Sequence, residues 1–418
     1  MKVVVVGSGA REHALARRLS LDAEVIVTPG NAGMMLDPQI TVSKEDPDSL
    51  GADLVVIGPE VPLVEGMADH LRALGIPVFG PGADGAQLEG SKEFMKQVLV
   101  DAGVPTAAYG AFTELAPALD FLDHMGDLFV VKTDGLAAGK GVLVTTDRGE
   151  AAADIAEKLS GSSFGDAGST VVIEEGLSGP ECSLLAIVDG KRALALAPAQ
   201  DFKRALDKDL GPNTGGMGAY SPMPSVSDSL VEELMAIGVD PTVAQLRSMG
   251  IDYRGVLHAG LMLTPTGPKI LEYNVRFGDP EAEVVLPRVR GNFAELLLEA
   301  ALGDLQSTPI FEDDATVCVV MASEHYPEAP MTGRLISGLG ADGQLETPIE
   351  GVTVFHAGTV LEGEQLYTSG GRVLTLSAQR SSIAEAREAA YAAVQAIHFE
   401  GAHYRSDIAL EASKEKMQ

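Results

Sequence analysis

Short apolar runs alternate with glycine- and proline-rich loops and with segments of helical period over the first hundred residues. Such runs are typical of buried parallel strands that helices cover on both faces. The pattern predicts four strands, at residues 3–6, 24–28, 53–57 and 76–79. A helical segment at 91–102 then ends at Gly103 and Pro105, which break the period. We therefore expect a parallel α/β domain over residues 1–102.

The texture changes after residue 102, because extended segments now come in pairs. Three pairs are predicted in residues 103–312, namely 128–132 with 141–146, 170–175 with 181–188, and 255–263 with 269–274. Helices are fewer there, with one at 227–249, which favours an α+β fold. Residues 313–418 add strands at 316–322, 352–361 and 372–376, then a helix that opens with a capping box of Ser382 and Glu385. A C-terminal α+β domain is the simplest assignment.

The charge of the chain argues against a nucleic-acid partner. Sixty acidic residues face 30 basic ones, which gives a formal net charge of −30 in 418 residues. A field of that sign repels a phosphate backbone instead of condensing on it. We expect small-molecule partners and no nucleic acid.

No membrane or secretory signal is evident in the sequence. The first apolar run is too short for a signal peptide, and no run approaches the ~18 apolar residues of a transmembrane helix. Cys182 and Cys318 lie in apolar, strand-like runs, where a small buried hydrophobe is favoured over a disulfide or a metal ligand. These features predict a cytoplasmic protein in a reducing compartment, with no membrane partner.

The first strand leads into Gly7-Ser8-Gly9, which begins like a dinucleotide-binding fingerprint. Small residues there let backbone N–H groups at a helix start approach an anion. Glu12 takes the place of the third glycine, and no acidic residue ends the second strand to hold a ribose. Two interpretations stay open: a phosphate site for a smaller ligand, assisted by Arg11, or a tight turn.

A glycine-rich segment at residues 132–141, between two predicted strands, is a candidate flap over phosphates. It is not a Walker A loop, because its glycine spacing is one residue short and a strand follows where a helix is required. Lys140 would close with the flap, and Lys132, half-buried at the end of an apolar run, needs an anionic partner. A plain glycine-rich hairpin is the alternative.

Residues 201–204 and 211–218 join a basic cluster to a second glycine-rich loop. Lys203 and Arg204 stand out against the acidic background and favour focusing of an anionic substrate. The N–H groups of the loop are suited to phosphate oxygens. A solvated surface loop is the alternative.

A candidate metal site and a cluster of charged residues follow one another along the chain. Glu272 and Asn274 share one face of a predicted strand and offer two oxygen ligands suited to Mg²⁺ that also binds nucleotide phosphates. Arg276, Asp279 and Glu281 follow in a turn into a helix, where the arginine can pair with a carboxylate or phosphate and the acids with an amine. For the two acids, an internal salt-bridge network is the alternative.

Together these motifs resemble the ATP-grasp superfamily, and within it the phosphoribosylamine–glycine ligase family. The resemblance spans the whole chain. It rests on seven ordered motifs: 9–15 (GAREHAL), 29–33 (PGNAG), 58–60 (GPE), 88–92 (LEGSK), 134–141 (DGLAAGKG), 211–220 (GPNTGGMGAY) and 276–281 (RFGDPE). Phe202 and Thr133 depart from the family pattern, in which His and Ala are usual, but neither replaces a proposed charged ligand.

The resemblance implies three domains. These are an N-terminal Rossmann-like parallel sheet domain over residues 1–102, an ATP-grasp domain over 103–312 whose two lobes clamp ATP, and a C-terminal α+β domain over 313–418.

Family roles, carried over motif by motif, imply three sets of site residues. Contacts to ATP are implied for Lys92, Lys132, Lys140, Glu174, Glu181, Asn213 and Gly216. Contacts to the amine and carboxylate substrates are implied for Gly9, Arg11, Asn31, Gly33, Glu60, Asp201, Lys203, Arg276, Asp279 and Glu281. Lys132, Arg276 and Asp279 would be catalytic, and Glu272 and Asn274 would hold Mg²⁺ or Mn²⁺.

The implied reaction has two steps. The carboxylate of glycine attacks the γ-phosphate of ATP to give glycyl phosphate, and the amine of 5-phospho-β-D-ribosylamine then displaces phosphate. The product would be N1-(5-phospho-β-D-ribosyl)glycinamide, an intermediate of de novo purine (IMP) biosynthesis, made by a monomer or weak homodimer. Three other interpretations stay open: an ATP-grasp ligase for another carboxylate and amine, a nicotinamide-dependent dehydrogenase that uses the first domain, and a nucleotide sensor without turnover.

Overall fold

A five-stranded parallel sheet forms the N-terminal part of the protein, in a computed structural model that describes residues 1–136, 141–161 and 170–415. Its strands are β1 (Lys2–Gly7), β2 (Glu24–Pro29), β3 (Thr41–Val42), β4 (Leu54–Ile57) and β5 (Val78–Phe79). They are accompanied by helices α1 (Ala10–Leu19), α2 (Ala32–Leu36), α3 (Glu60–Val64), α4 (Met67–Ala73) and α5 (Ala83–Gly90). The order across the sheet is β3-β2-β1-β4-β5. The four predicted strands are confirmed, and the short β3 is an addition.

The apolar run of β1 is continuous because both faces of this sheet are covered. Val3 and Val5 pack on one face with Leu15 of α1, whereas Val4 and Val6 belong to the core on the opposite face. All four valines are buried. A strand enclosed in this way gains from apolar residues at every position, which is why alternation is missing from its sequence.

Residues 91–312 build two four-stranded antiparallel sheets that line a common cleft. The strands are β6 (Tyr109–Phe112), β7 (Phe129–Thr133), β8 (Val142–Thr145), β9 (Val171–Glu175), β10 (Glu181–Asp189), β11 (Ala193–Ala195), β12 (Gln200–Asp201), β13 (Arg204–Leu206), β14 (Leu210–Asn213), β15 (Gly218–Ser221), β16 (Arg254–Thr264), β17 (Gly267–Asn274), β18 (Val289–Arg290) and β19 (Ile310–Phe311). The helices are α6 (Lys92–Asp101), α7 (Leu115–Leu122), α8 (Arg148–Leu159), α9 (Asp228–Leu234), α10 (Asp240–Ser248), α11 (Ala282–Val285) and α12 (Phe293–Leu302). The first sheet has the order β6-β9-β7-β8 and the second β11-β10-β16-β17.

Two of the three predicted strand pairs are confirmed and the third is wrong. β7 pairs with β8 and β16 with β17, both antiparallel, but β9 and β10 belong to different sheets. The link between them crosses from one sheet to the other instead of reversing. At the start of this link, Gly176 N–H donates to the carbonyl of Leu128, the residue before β7 of the first sheet (2.9 Å). At the end of the link, Leu263 N–H of β16, in the second sheet, donates to the carbonyl of Pro180 (2.9 Å).

A third sheet contains strands from two separate parts of the chain. Its C-terminal strands are β20 (Ala315–Ala322), β21 (Val352–His356) and β24 (Arg372–Arg380), with the separate hairpin β22 (Thr359–Glu362) and β23 (Gln365–Thr368) and the helix α13 (Ile383–Ala396). The order is β12-β15-β20-β24-β21, so that β12 and β15 come from before residue 313. Ser382 caps α13 by accepting from Glu385 N–H (3.3 Å), as the capping box predicts. The domain limits themselves stay a prediction.

Both cysteines are free thiols in the core, as their apolar surroundings predict. Cys182 lies in β10 and Cys318 in β20, and each is buried.

Within the described ranges, no helix combines the length and the apolar character that crossing a membrane would need.

Arg18 fastens the N-terminal sheet domain to the segment that follows α11. Its guanidinium donates to the carbonyls of Val289 (3.0 Å) and Gly291 (2.7 Å) and to Asp22 (2.7 Å). It also lies over the ring of Phe293, 5.5 Å from the centroid. The Arg18 side chain is almost wholly buried, so water could not replace its hydrogen bonds to the two carbonyls if the guanidinium were removed.

We expect Arg18→Met to lower the free energy of unfolding by about 3 kcal/mol, because two buried carbonyls lose a charged donor. The measurement is the urea midpoint of the purified protein. Arg148→Met is the control, since Arg148 forms an ion pair with Asp123 in which both side chains are about half exposed, and it should change the midpoint little. Equal shifts in the two variants would contradict the role given to Arg18.

Candidate active site

A cleft of about 980 Å³ lies where the two antiparallel sheets meet the N-terminal and C-terminal domains. Most of the residues proposed from the sequence line it. They are Arg11, Glu60, Lys92, Lys132, Glu174, Glu181, Asp201, Lys203, Asn213, Glu272, Asn274, Arg276, Asp279 and Glu281. Side chains from widely separated parts of the chain therefore face one space.

Lys92 is positioned by the start of α6. Ser91 caps the helix by accepting from Phe94 N–H (3.1 Å), and Asp134 accepts from Lys92 N–H (2.5 Å) and from the Ser91 hydroxyl (3.1 Å). The Lys92 ammonium donates to the carbonyl of Gly135 (2.9 Å). Burial lowers the pKa of Lys92, against the opposing attraction of Glu272. Asp134 thus ties the helix start to the loop that follows β7.

Lys132 finds the anionic partner that its apolar surroundings require. Its ammonium lies 2.8 Å from Glu174 Oε1, and the other oxygen, Oε2, pairs with Lys96 at 2.8 Å. Burial opposes ionisation of Glu174, yet Lys132 and Lys96 lower its pKa. One buried carboxylate is therefore shared by two lysines, of which Lys132 lines the cleft.

The proposed metal ligands lie together on β17, beside an irregularity in its pairing. Gly260 pairs with Glu272 and Leu261 with Ile270, so that Leu271 is an extra residue in the strand. The carbonyl of Leu271 accepts from the Lys132 ammonium (3.3 Å). Glu272 and Asn274 both line the cleft, as strand alternation predicts.

Glu272 is ionised because cations surround it. Burial opposes the charge, but Lys203, Lys132 and Lys92 lower the pKa of Glu272 to about 2. Asn274 Oδ1 accepts from the Arg276 guanidinium (3.3 Å). One charged and one neutral oxygen next to a lysine pair suit a divalent cation that also binds phosphate oxygens. Among the described residues, no group of three or more His, Cys, Asp or Glu side chains is arranged to hold a metal, so such a cation would depend on ligand oxygens.

Lys203 connects the glycine-rich loop region to the carboxylates of the second sheet. Its ammonium donates to Glu181 (2.7 Å) and lies 3.9 Å from Glu272. Neighbouring Asp201 has a raised pKa, because burial and the carboxylates of Glu281, Glu181 and Glu272 outweigh the attraction of Lys203. This cluster lies between the end of the cleft that Lys92 and Lys132 line, here called the lysine end, and the opposite end.

The opposite end of the cleft is held by arginine–carboxylate pairs. Arg276 lies 3.1 Å from Glu89 and 3.5 Å from Glu60, and Glu89 also accepts from Val275 N–H (2.8 Å). Asp279 pairs with Arg372 of β24 at 2.9 Å. The internal salt-bridge alternative is therefore realised in part, although these groups still line the cleft.

Glu281 adds a buried acid to this end. It accepts from the Ser183 hydroxyl (3.0 Å) and lies 3.5 Å from His258. Burial lowers the pKa of His258 to about 4, which makes the imidazole neutral near pH 7.

The β1–α1 turn lies at the switch point of the N-terminal sheet, where the strand order reverses. Glu12 fills the space beneath it: a Cβ at Gly7 or at Gly58 would approach its Cγ to 2.5 Å. Its carboxylate accepts from Gly9 N–H (2.6 Å). A fixed carboxylate takes the donor that a pyrophosphate would use and repels that anion, which explains why the dinucleotide fingerprint fails at Glu12.

Arg11 reaches from this turn into the cleft. Its guanidinium donates to Glu12 (2.5 Å) and to the carbonyl of Phe277 (3.3 Å). Burial opposes its charge, but Glu12, Asp279 and Glu60 raise the pKa of Arg11. The N-terminal domain therefore contributes a permanent cation to the arginine–carboxylate end.

Four proposed residues are not in the cleft lining, and one lies outside the described residues. Asn31 caps α2 and donates to the carbonyls of Ser8 (2.9 Å) and His356 (2.6 Å). Gly33 packs against the imidazole of His356, Gly216 packs on Pro280, and Gly9 holds Glu12. Lys140 is the residue outside the described ranges. The ligand contacts of these five residues stay predictions.

Sequence reasoning missed several polar residues of the site. Glu89, Tyr326 and Arg372 line the cleft, and Lys96 lies behind it. Glu89 belongs to one of the seven motifs, so its position was a usable signal. No local sequence pattern marks Tyr326. Arg372 stands at the start of an ordinary strand, and nothing in the sequence shows that it reaches Asp279.

Three family models match consecutive parts of the chain. They are the N domain of phosphoribosylglycinamide synthetase over residues 1–89, its ATP-grasp (A) domain over 90–282 and its C domain over 316–411.

Similar proteins are found over the full length. A curated protein of Caulobacter vibrioides named phosphoribosylamine–glycine ligase is 47% identical, over 100% of this chain and 99% of its own. The crystal structure of phosphoribosylamine–glycine ligase from Thermotoga maritima superposes with a TM-score of 0.86 at 34% identity, over 98% of this chain and 100% of that one. The biotin carboxylase domain of Hydrogenobacter thermophilus 2-oxoglutarate carboxylase, solved with MgADP, ADP and bicarbonate, shares the fold alone, with a TM-score of 0.71 at 16% identity over 99% and 94% of the chains.

The matched models cover nearly all of the described cleft, and the relatives match from end to end. The chain belongs to the phosphoribosylglycinamide synthetase family, and its central part has the ATP-grasp fold.

Proposed function

We propose that this protein is an ATP-dependent ligase that joins glycine to 5-phospho-β-D-ribosylamine. The products are N1-(5-phospho-β-D-ribosyl)glycinamide, ADP and phosphate, in de novo purine (IMP) biosynthesis. The observation that carries the proposal is one cleft in which a lysine pair, Lys92 and Lys132, stands beside Glu272 and Asn274. The names of full-length relatives at 47% identity supply the substrates.

The lysine end of the cleft is the proposed site of ATP. Lys92 and Lys132 bind the phosphates, and Lys140, which lies outside the described residues, is assigned to the phosphates as well. The link between β9 and β10 joins the two sheets next to Glu174, and backbone groups there are suited to the edge of an adenine ring. Glu181 binds the ribose, while Asn213, at the end of β14, and Gly216, in the loop between β14 and β15, approach the phosphates.

The arginine–carboxylate end is the proposed site of glycine and the ribosylamine. Arg276 binds a carboxylate or phosphate, and Asp279 and Glu281 accept hydrogen bonds from the amines. Lys203 and Asp201 lie between the two ends. The further substrate contacts are assigned to Gly9, Arg11, Asn31, Gly33 and Glu60.

Glu272 and Asn274 are the residues that would hold a divalent cation, Mg²⁺ or Mn²⁺. When bound, such an ion neutralises phosphate charge and polarises the transferring group. The ionised Glu272 and the neutral amide oxygen of Asn274 are hard ligands of the type these ions prefer.

The chain itself contributes charge control and exclusion of water. A glycine carboxylate oxygen attacks the γ-phosphorus while Lys92 and Lys132 offset the repulsion between the two anions, and ADP leaves. The ribosylamine nitrogen then attacks the acyl carbon, and the carbon–oxygen bond to phosphate breaks. The flap shields the acyl phosphate from hydrolysis. We also propose a monomer or weak homodimer.

The first prediction from the proposed function concerns the metal ligands. Glu272→Gln removes the single charged oxygen of the pair, and we expect the apparent affinity for Mg²⁺ in turnover to fall about tenfold or more. The unfolding midpoint without ligand should fall only slightly, because the Glu272 side chain is 38% exposed and solvent screens its attraction to the surrounding lysines. Glu93→Gln, an exposed position on α6, is the matched control. Wild-type dependence of the Glu272 variant on Mg²⁺ concentration would refute the metal assignment.

The second prediction concerns Lys132. Lys132→Ala should cost ~3 kcal/mol of transition-state stabilisation, or about a hundredfold in kcat/KM, the scale of one preorganised donor. Lys140→Ala should cost less, because backbone groups of the flap share its task. Lys44→Ala, at an exposed position outside the cleft, should keep the wild-type rate. ADP release with glycine and phosphoribosylamine is the assay, and a wild-type rate for Lys132→Ala would contradict the assignment.

The reaction itself is tested with glycine labelled by ¹⁸O in its carboxylate. Because the oxygen that bridges carbon and phosphorus leaves with phosphorus, label should appear in the released phosphate only when phosphoribosylamine is supplied. Leaving out each substrate in turn separates this ligase from one with another amine. Full turnover with unlabelled phosphate would exclude an acyl phosphate.

A further inference from the structure

Lys96 is a buried cation that the proposed reaction does not use. It lies on α6, one turn beyond Lys92, and its side chain is 0% exposed. Its ammonium donates to Glu174 (2.8 Å) and to the hydroxyl of Thr106 (2.8 Å). It is not among the residues that line the cleft, so it contacts no ligand there.

Among the described residues, Glu174 is the only one that links Lys96 to the cleft through ion pairs. Its two oxygens take one lysine each, Oε2 from Lys96 and Oε1 from Lys132, both at 2.8 Å. With both lysines present, one carboxylate offsets only part of two positive charges. The uncompensated charge is available at Lys132, the member of the pair that lines the cleft.

The geometry of Lys132 leaves room for a ligand. The Lys132 ammonium donates to the Leu271 carbonyl at 3.3 Å and lies 2.8 Å from Glu174 Oε1 as an ion pair. Because an ammonium group has three donors, at least one is left for an anion in the cleft. A phosphate in the cleft competes with Glu174 for the positive charge of Lys132. The phosphate binds Lys132 most strongly when another cation already neutralises Glu174.

We propose that Lys96 is a positioning residue that serves as the standing counter-ion of Glu174 and so releases Lys132 for the phosphates of ATP. This inference rests on the proposed function, because it places ATP in the cleft. Without Lys96, a buried carboxylate would depend on Lys132 alone, and a polyphosphate would have to compete with it. Burial lowers the pKa of Lys96 to about 8, and the attraction of Glu174 opposes that shift.

The test compares Lys96→Met, Glu174→Gln and the double variant, using ATP with Mg²⁺ and adenosine as probes. Lys96→Met should raise the Kd of ATP about tenfold, the effect of weakening one charged hydrogen bond, and leave the Kd of adenosine unchanged. The KM of ATP should rise in parallel, while the KM of glycine stays constant. In the Glu174→Gln background, Lys96→Met should cause no further loss of ATP affinity, because the competing carboxylate is gone.

Lys158→Met is the matched control. Lys158 is also a buried lysine, paired with Asp154 at 2.5 Å on α8, and it is not part of the cleft lining. Its loss should lower the melting temperature without a change in the Kd of ATP. That contrast separates a general loss of stability from a specific loss of phosphate binding.

Two results would overturn the inference while the proposed function stands. One is an equal loss of ATP and adenosine affinity in Lys96→Met, and the other is a double variant that binds ATP more weakly than Glu174→Gln. If Lys96→Met does not fold, the double variant against Glu174→Gln decides: equal Kd values for ATP support the inference, and a weaker Kd in the double variant overturns it. A wild-type protein that binds no ATP would refute the proposed function itself, and this inference with it.

Discussion

Compensation of clustered charges is the constraint on which the rest of the structure depends. Lys92, Lys132 and Lys203 converge on one cleft, and like charges in a partly dry space repel each other strongly. Each has a protein acceptor in place: the Gly135 carbonyl, Glu174 and Glu181, respectively. A bound polyanion therefore takes over lysine contacts that protein acceptors already make, and these acceptors limit the repulsion among the three lysines.

Much of the fold could be predicted because its signals are local. The apolar run of β1, the cap at Ser382 and the pairing of β16 with β17 each depend on residues close together in the chain. The placement of β9 and β10 in different sheets could not be predicted, because a short glycine-containing link has the same sequence pattern whether it reverses the chain or crosses between sheets. Distant hydrogen bonds at Gly176 and Pro180 decide between these outcomes.

The site follows the same division. Glu272 and Asn274 could be placed on one face from strand alternation alone, and Lys132 from its position at the end of an apolar run. Arg372 and Lys96 could not, because their importance comes from partners 93 and 78 residues away, Asp279 and Glu174. Asn31 shows the reverse case: a residue in a specific motif whose amide the structure uses to hold backbone carbonyls.

The shared third sheet has a consequence for the order in which the chain matures during synthesis. β12 and β15, which flank the loop of Lys203 and Gly216, pair into a sheet whose next members are β20 and β24. The last of these ends at Arg380, so the chain must leave the ribosome as far as that residue before the sheet is complete. The N-terminal parallel sheet has no such delay, since its strands all lie before residue 80. A nascent chain of this protein would thus carry a finished first domain well before it carries a finished cleft.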